Sequence, residues 1–232
     1  MRGVAAARPA LWTAAGGVVA LGLLTLTVTG RGGAPFSADV DLLRWATEHR
    51  PSAAVAMARA VTFTGTGVVP YALAVLAGLL AARTPRRRAP SVAAAVGCLA
   101  AGQALRYGLM TLEARPRPPR QDWLTQASGW SFPSGHATTS AITAGLLAVA
   151  VLVRVPRAGA ALAAAVVGWG VLVGLTRVYL GVHWFSDVLG GWLFALSWLS
   201  LCGYAAARLA PGTRKAGAVR SPPSPPSPPS PR

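Results

Sequence analysis

Long, nearly uncharged apolar runs recur along this chain, and they limit its fold more than any other feature. They cover residues 10–29, 68–82, 91–112, 136–153, 158–175 and 183–207. An α-helix rises about 1.5 Å per residue, so about 20 residues cross the roughly 30 Å of hydrocarbon in a bilayer. A helix also satisfies its own backbone hydrogen bonds, which lipid cannot do. Only 12% of the 232 residues are charged and 53% are hydrophobic, where a soluble domain carries about 25% charged residues. The pattern predicts an all-α bundle of six transmembrane helices.

The first run follows Arg2 and Arg8. It is longer than the roughly 7–15 apolar residues of a signal-peptide core, so it reads as an uncleaved span. A Gly/Pro loop over 31–37 leads to a short amphipathic helix over 39–49, which suits the bilayer surface. Residues 52–63 form another helix, and Gly65-Thr66-Gly67 breaks the chain before the second span. Three parts follow: 1–36, a tail and first span; 37–207, the main membrane domain; and 208–232, a basic Pro/Ser-rich tail. The tail ends in Ser-Pro-Pro repeats, which cannot bury a core and predict an extended, disordered segment.

Charge orients the spans. The N-terminus, 83–88, 154–157 and the tail fall on one side and hold 13 of the 22 Lys and Arg; the opposite side holds all six acids. By the positive-inside rule the first side is cytoplasmic. This places both termini inside a plasma membrane and the long loop 113–133 outside. The net charge of +16 does not point to nucleic acid, because no basic face is interleaved with aromatic residues. Cys98 and Cys202 lie in apolar runs, which argues against a structural disulfide, and no Cys/His spacing suits a metal.

The polar residues gather where spans meet the outer face. Trp130-Ser131-Phe132-Pro133-Ser134-Gly135-His136 closes the long loop and opens the fourth span. Ser134 is a good N-cap, and a helix N-terminus next to a glycine is a ready anion site. Upstream stands Ala114-Arg115-Pro116-Arg117-Pro118, and downstream Thr176-Arg177, then His183 and Asp187. Their order and spacing resemble the type-2 phosphatidic acid phosphatase family, whose pattern is Lys-x6-Arg-Pro, Pro-Ser-Gly-His and Ser-Arg-x5-His-x3-Asp. The second block is complete, and the third has Thr176 for serine. In the first block Arg117-Pro118 fits, but Met110 replaces the lysine, with Arg106 one turn earlier.

The resemblance implies an integral membrane phosphatase acting on lipid phosphate monoesters or pyrophosphates: phosphatidate, phosphatidylglycerol phosphate or undecaprenyl pyrophosphate. In it His183 is the nucleophile that becomes phosphohistidine, Asp187 orients it, and His136 protonates the leaving oxygen. Arg117, Arg177, Ser134 and Gly135 bind phosphate, and Arg106 is the candidate to stand in for the missing lysine. The family uses no metal and no other cofactor; the partners implied are a lipid substrate and the bilayer. The residue types agree, since guanidinium forks suit phosphate and an i,i+4 pair shares a helix face. A phosphotransferase with the same intermediate and a non-catalytic lipid-binding protein of the same fold are the alternatives. Arg115 and Arg120 read as interfacial arginines, His49 as a surface residue, and Trp130, Trp184 and Trp192 as an interfacial belt.

Overall fold

The computed structural model describes residues 2–155 and 157–209. The expected tail begins at its edge and, from residue 210, lies outside the described residues. Eight α-helices follow in order: α1 (Arg2–Gly30), α2 (Ser37–Glu48), α3 (Ser52–Phe63), α4 (Val68–Ala81), α5 (Pro85–Glu113), α6 (Gly135–Arg154), α7 (Gly159–Tyr179) and α8 (Phe185–Leu209). Five of them are long and apolar enough to cross a membrane. A sixth crossing exists if α3 and α4, bent by 53° at their junction, count as one broken span. The chain is thus a multi-span membrane bundle, and the Gly65-Thr66-Gly67 triplet lies at the α3–α4 break, as the sequence predicts.

Helix α6 is the axis of the bundle. It is 61% buried along its span, whereas α1 and α5 are each 17% buried and turn Leu11, Val19, Leu26, Leu105 and Leu112 outwards. Apolar side chains on that scale suit a lipid environment rather than water. The buried face of α6 carries Thr138, Thr139, Ser140 and Thr143. The hydroxyls of Thr138, Thr139 and Ser140 are satisfied there by nearby carbonyls. Thr138 Oγ1 donates to Ser134 O at 2.9 Å, and Ser140 Oγ reaches across to Gly170 O on α7 at 3.1 Å.

The basic stretch expected as a loop over 83–88 instead begins α5 at Pro85. Proline at the first helical position has the required φ and loses no hydrogen bond there. α5 ends at Ala114, which adopts a left-handed φ of 44°, and the chain then enters the long loop. The C-terminal ends of α5 and α7, the N-terminal ends of α6 and α8, and the α3–α4 break meet at one end of the bundle. The cysteines face each other between α5 and α8 as free thiols, 3.7 Å apart.

Close helix approach depends on missing side chains. A Cβ on Gly78 of α4 would lie 2.5 Å from the Val92 Cα of α5, and backbone cannot rotate away as a side-chain tip can. Gly78→Val is expected to push α4 from α5 at a cost of about 1–3 kcal/mol. The thermal unfolding midpoint in detergent should fall by several degrees, as measured by intrinsic tryptophan fluorescence.

Candidate active site

His183 lies in the turn between α7 and α8, two residues before the helix in which the sequence placed it. The chain reverses through Gly181, whose φ is +74°. The Asp187 carboxylate then accepts the Trp184 backbone N–H at 2.8 Å. That bond caps the first turn of α8 and starts the helix at Phe185, which leaves His183 outside it. The same Asp187 Oδ2 faces His183 Nδ1 at 3.3 Å, while Arg117 Nη1 lies 2.9 Å from His183 Nε2. A guanidinium can only donate, so Nε2 offers its lone pair and Nδ1 carries the proton towards Asp187. Burial pushes the His183 pKa down to about 4; the Asp187 hydrogen bond opposes the drop, and Arg117 and Arg177 add to it. The ring is therefore neutral at pH 7.

Asp187 is fully buried and held on every side. Its Oδ1 accepts from Arg115 Nη1 at 2.6 Å, and its Oδ2 also accepts a short bond from the Ser131 hydroxyl. Arg115 is 0% exposed, which corrects its reading as an interfacial arginine. Its other donors go to Ser186 Oγ at 2.7 Å, Asp39 Oδ2 at 3.0 Å and the carbonyl of Gly33 at 3.1 Å. Asp39, read from sequence as part of a surface helix, is 1% exposed. Neither residue's burial shows in the local sequence. A second Arg-Pro two residues before the motif's own was the one available signal for Arg115. Trp184 is likewise no belt residue: it is buried, and its indole N–H donates to Pro116 O at 3.0 Å, pinning the long loop. Arg120 and His49 are exposed, as expected.

A cavity of about 390 Å³ opens beside His183. Arg106, Arg117, Arg177, Gly135 and His136 line it, and no carboxylate does. Ser134 occupies the N-cap position of α6, but its hydroxyl makes no capping bond. It is buried one residue from the cavity wall with no partner, as are Arg177 Nε and Arg106 Nε. Buried polar atoms without partners are uncommon, and these three are all potential donors. Arg177 spends Nη1 on Thr62 Oγ1 of α3 at 3.0 Å. Arg106 bonds only the thioether of Met110, at 3.1 Å, which is a weak acceptor. Its guanidinium lies 3.4–3.5 Å from where a Cβ of Gly135 would sit. Arg106 thus fills the space in front of the buried Met110.

Arg117, expected as an open fork, is closed on the protein. Nε donates to Gly129 O at 2.9 Å, and Nη2 to Ser128 O and Trp130 O at 2.8 and 2.9 Å. Nη1 is shared between Val182 O at 2.8 Å and His183 Nε2. Only the Nη1 contact with His183 can be exchanged for a ligand oxygen without loosening the loop. Burial also pulls the Arg117 pKa below its ordinary value, with Asp187 opposing and Arg106 adding to the fall. Among the described residues, no three His, Cys, Asp or Glu side chains come together as metal ligands.

A helical membrane bundle with a cationic cavity and a carboxylate-held histidine at one end defines an anion-handling membrane protein. The model of the PAP2 superfamily matches residues 91–209, just over half the chain. The chain is 32% identical over 140 residues to the undecaprenyl-diphosphatase BcrC of Bacillus subtilis (strain 168), spanning 59% of this chain and 67% of that protein. It is 38% identical over 78 residues to phosphatidylglycerophosphatase B of the same organism, spanning 32% of this chain but only 37% of that protein. Its fold is similar to the crystal structure of a transmembrane PAP2 type phosphatidylglycerolphosphate phosphatase from Bacillus subtilis. The TM-score is 0.71 at 22% identity, covering 85% of this chain and 98% of that one. The chain belongs to the PAP2 superfamily of membrane phosphatases.

The depressed pKa of His183 gives a direct test. Nitrogen-15 imidazole spectra of detergent-solubilised protein should show the neutral Nδ1–H tautomer of His183 at pH 7. The proton should be gained only as pH falls towards about 4; protonation near the ordinary value of about 6.5 would contradict the buried geometry.

Proposed function

We propose that the chain hydrolyses a lipid phosphate monoester or diphosphate through a phosphohistidine on His183. The observation that carries this reading is the neutral, Asp187-oriented His183 ring at the edge of a cavity lined by three arginines. A phosphate entering the cavity takes up the unused donors of Arg106, Arg177 and Ser134 and draws Arg117 Nη1 off His183 Nε2. The freed Nε2 attacks phosphorus, the bond from phosphorus to the leaving oxygen breaks, and His136 supplies that oxygen with a proton. Water then attacks phosphorus and gives a proton back to His136. The P–N bond breaks and inorganic phosphate leaves. The fixed donors stabilise negative charge on the phosphoryl oxygens throughout.

The catalytic part spans 37–207 and faces outwards, as the distribution of Lys and Arg supports. Counting α3 and α4 as one broken crossing gives six spans and puts both termini inside. The site sits where helices meet the membrane surface, which suits a lipid whose chain stays in the bilayer. Phosphatidylglycerol phosphate and undecaprenyl diphosphate are the substrates that the relatives' names supply, with phosphatidate a third. The outward orientation favours undecaprenyl diphosphate. Arg106 takes the place of the missing lysine by reaching from one helical turn earlier.

Purified protein in EDTA, offered the three lipids separately, is expected to release phosphate. His183→Ala should reduce release by at least about a thousandfold. Arg106→Ala should cost about a hundredfold in kcat/KM, and Met110→Lys in that background should restore most of it. Release that depends on an added alcohol would identify a transferase instead. Loss of release in EDTA would refute the metal-free route.

Orientation is tested separately. With Cys98 and Cys202 replaced by serine, Gln126→Cys should react with a membrane-impermeant thiol reagent in intact cells. Reaction only after lysis would reverse the topology.

A further inference from the structure

We propose that Asp39, on α2, is a positioning residue for the catalytic centre. Through Arg115 and Ser186 it fixes the Asp187 carboxylate and, with it, the tautomer and direction of the His183 ring. The inference rests on His183 acting as the nucleophile. It assigns a role to a residue that lies outside the stretch matched by the family model, which begins at residue 91.

The contacts are dense and dry. Asp39 Oδ1 accepts the Ser186 backbone N–H at 2.8 Å. Its Oδ2 accepts from Ser186 Oγ at 2.6 Å, Arg115 Nη2 at 3.0 Å and the Phe36 N–H at 3.1 Å. Ser186 Oγ in turn accepts from Arg115 Nη1, the same nitrogen that holds Asp187. Arg115, Asp39 and Asp187 are each no more than 1% exposed. A carboxylate has about four lone-pair sites. Asp187 Oδ1 accepts from Arg115, and Oδ2 faces Ser131, Trp184 and His183, so both oxygens are held and the carboxylate has one orientation.

Charge explains why a second carboxylate is needed. With Asp187 alone, Arg115 would form a neutral pair and cancel much of the field that Asp187 directs at His183. Asp39 balances Arg115 from the far side. The group of two carboxylates and one guanidinium keeps a net negative charge, and Asp187 is the member that touches the ring. That charge stabilises the cationic ring present once Nε2 is bonded to phosphorus. The α2 segment is therefore built into the catalytic centre and does more than lie on the bilayer.

Asp39→Asn tests this because asparagine keeps the shape and an oxygen for the Ser186 N–H. It removes the charge and sets an amide N–H₂ against Arg115. In full-length protein, kcat is expected to fall roughly ten- to a hundredfold with KM changed less than about threefold. The Nδ1–H resonance of His183 at pH 7 should shift; the thermal midpoint should also fall, because Arg115 loses a buried counter-charge, so kcat and spectra are compared well below that midpoint. Ser186→Ala, which deletes only the bridging hydroxyl, should show the same split in milder form and serves if Asp39→Asn does not fold. In an Arg115→Lys background, Asp39→Asn should cost far less than in the original chain, since coupled residues are not additive. Full additivity, a change in KM alone, or an unmoved His183 resonance would overturn the proposal. If the unaltered protein releases no phosphate from any lipid, the functional reading fails, and the His183 resonance still decides the role of Asp39.

Discussion

A guanidinium removed from water is tolerable only where acceptors meet nearly all of its N–H groups, and removing one partner from such a group costs several kcal/mol. Arg115 imposes that condition here. It is fully buried and draws on three other segments: the loop after α1, helix α2 and the start of α8. Apolar packing in lipid is forgiving, because hydrocarbon side chains meet hydrocarbon solvent and gain little by turning inwards. The polar knot under His183 is not. It allows one arrangement of these segments, and the rest of the catalytic end is registered against it.

The cavity above that knot has the opposite character. Arg106 and Arg177 on its wall have donors to spare, and the buried hydroxyl of Ser134, one residue from the wall, has no partner. Acceptors are concentrated beneath His183 and donors around the space where an anion would lie. This segregation bears on the imidazole directly. Neighbouring arginines and burial keep the proton off the ring, so its outer nitrogen has a lone pair available. Arg117 adds a mechanical element, because one guanidinium gathers three successive carbonyls of the long loop and the His183 ring into a single cluster.

The span pattern and the motif residues were legible in the sequence because each signal is local. Runs of about 20 apolar residues report membrane helices, and Pro133 to His136 announces a helix start beside an anion site. The break between α3 and α4 was also legible, since glycines mark it. What could not be read was long-range. Asp39 sits among alternating polar and apolar residues that look like any surface helix, and its partner Ser186 lies 147 residues away. Arg115 stands in a run of Arg and Pro that resembles an interfacial loop. Thr62, which holds Arg177, is an ordinary helix residue until the fold brings α3 to α7. The start of α8 was misplaced by two residues because capping by Asp187 depends on side-chain geometry, which hydropathy does not record.

The knot joins the second helix of the chain to the last, and this bears on how the protein is made. A ribosome releases α2 long before α8. Until the final crossing is inserted, Asp39 and Arg115 can pair with each other, but Ser186 and Asp187 are not yet there to complete the cluster. Helices cross the bilayer one by one, yet the His183 ring gains its orientation only once α8 is in place. A chain cut short before α8 would keep most of its membrane-spanning mass and none of its catalytic geometry. With His183 as the proposed nucleophile, assembly order would thus keep a half-built chain inert.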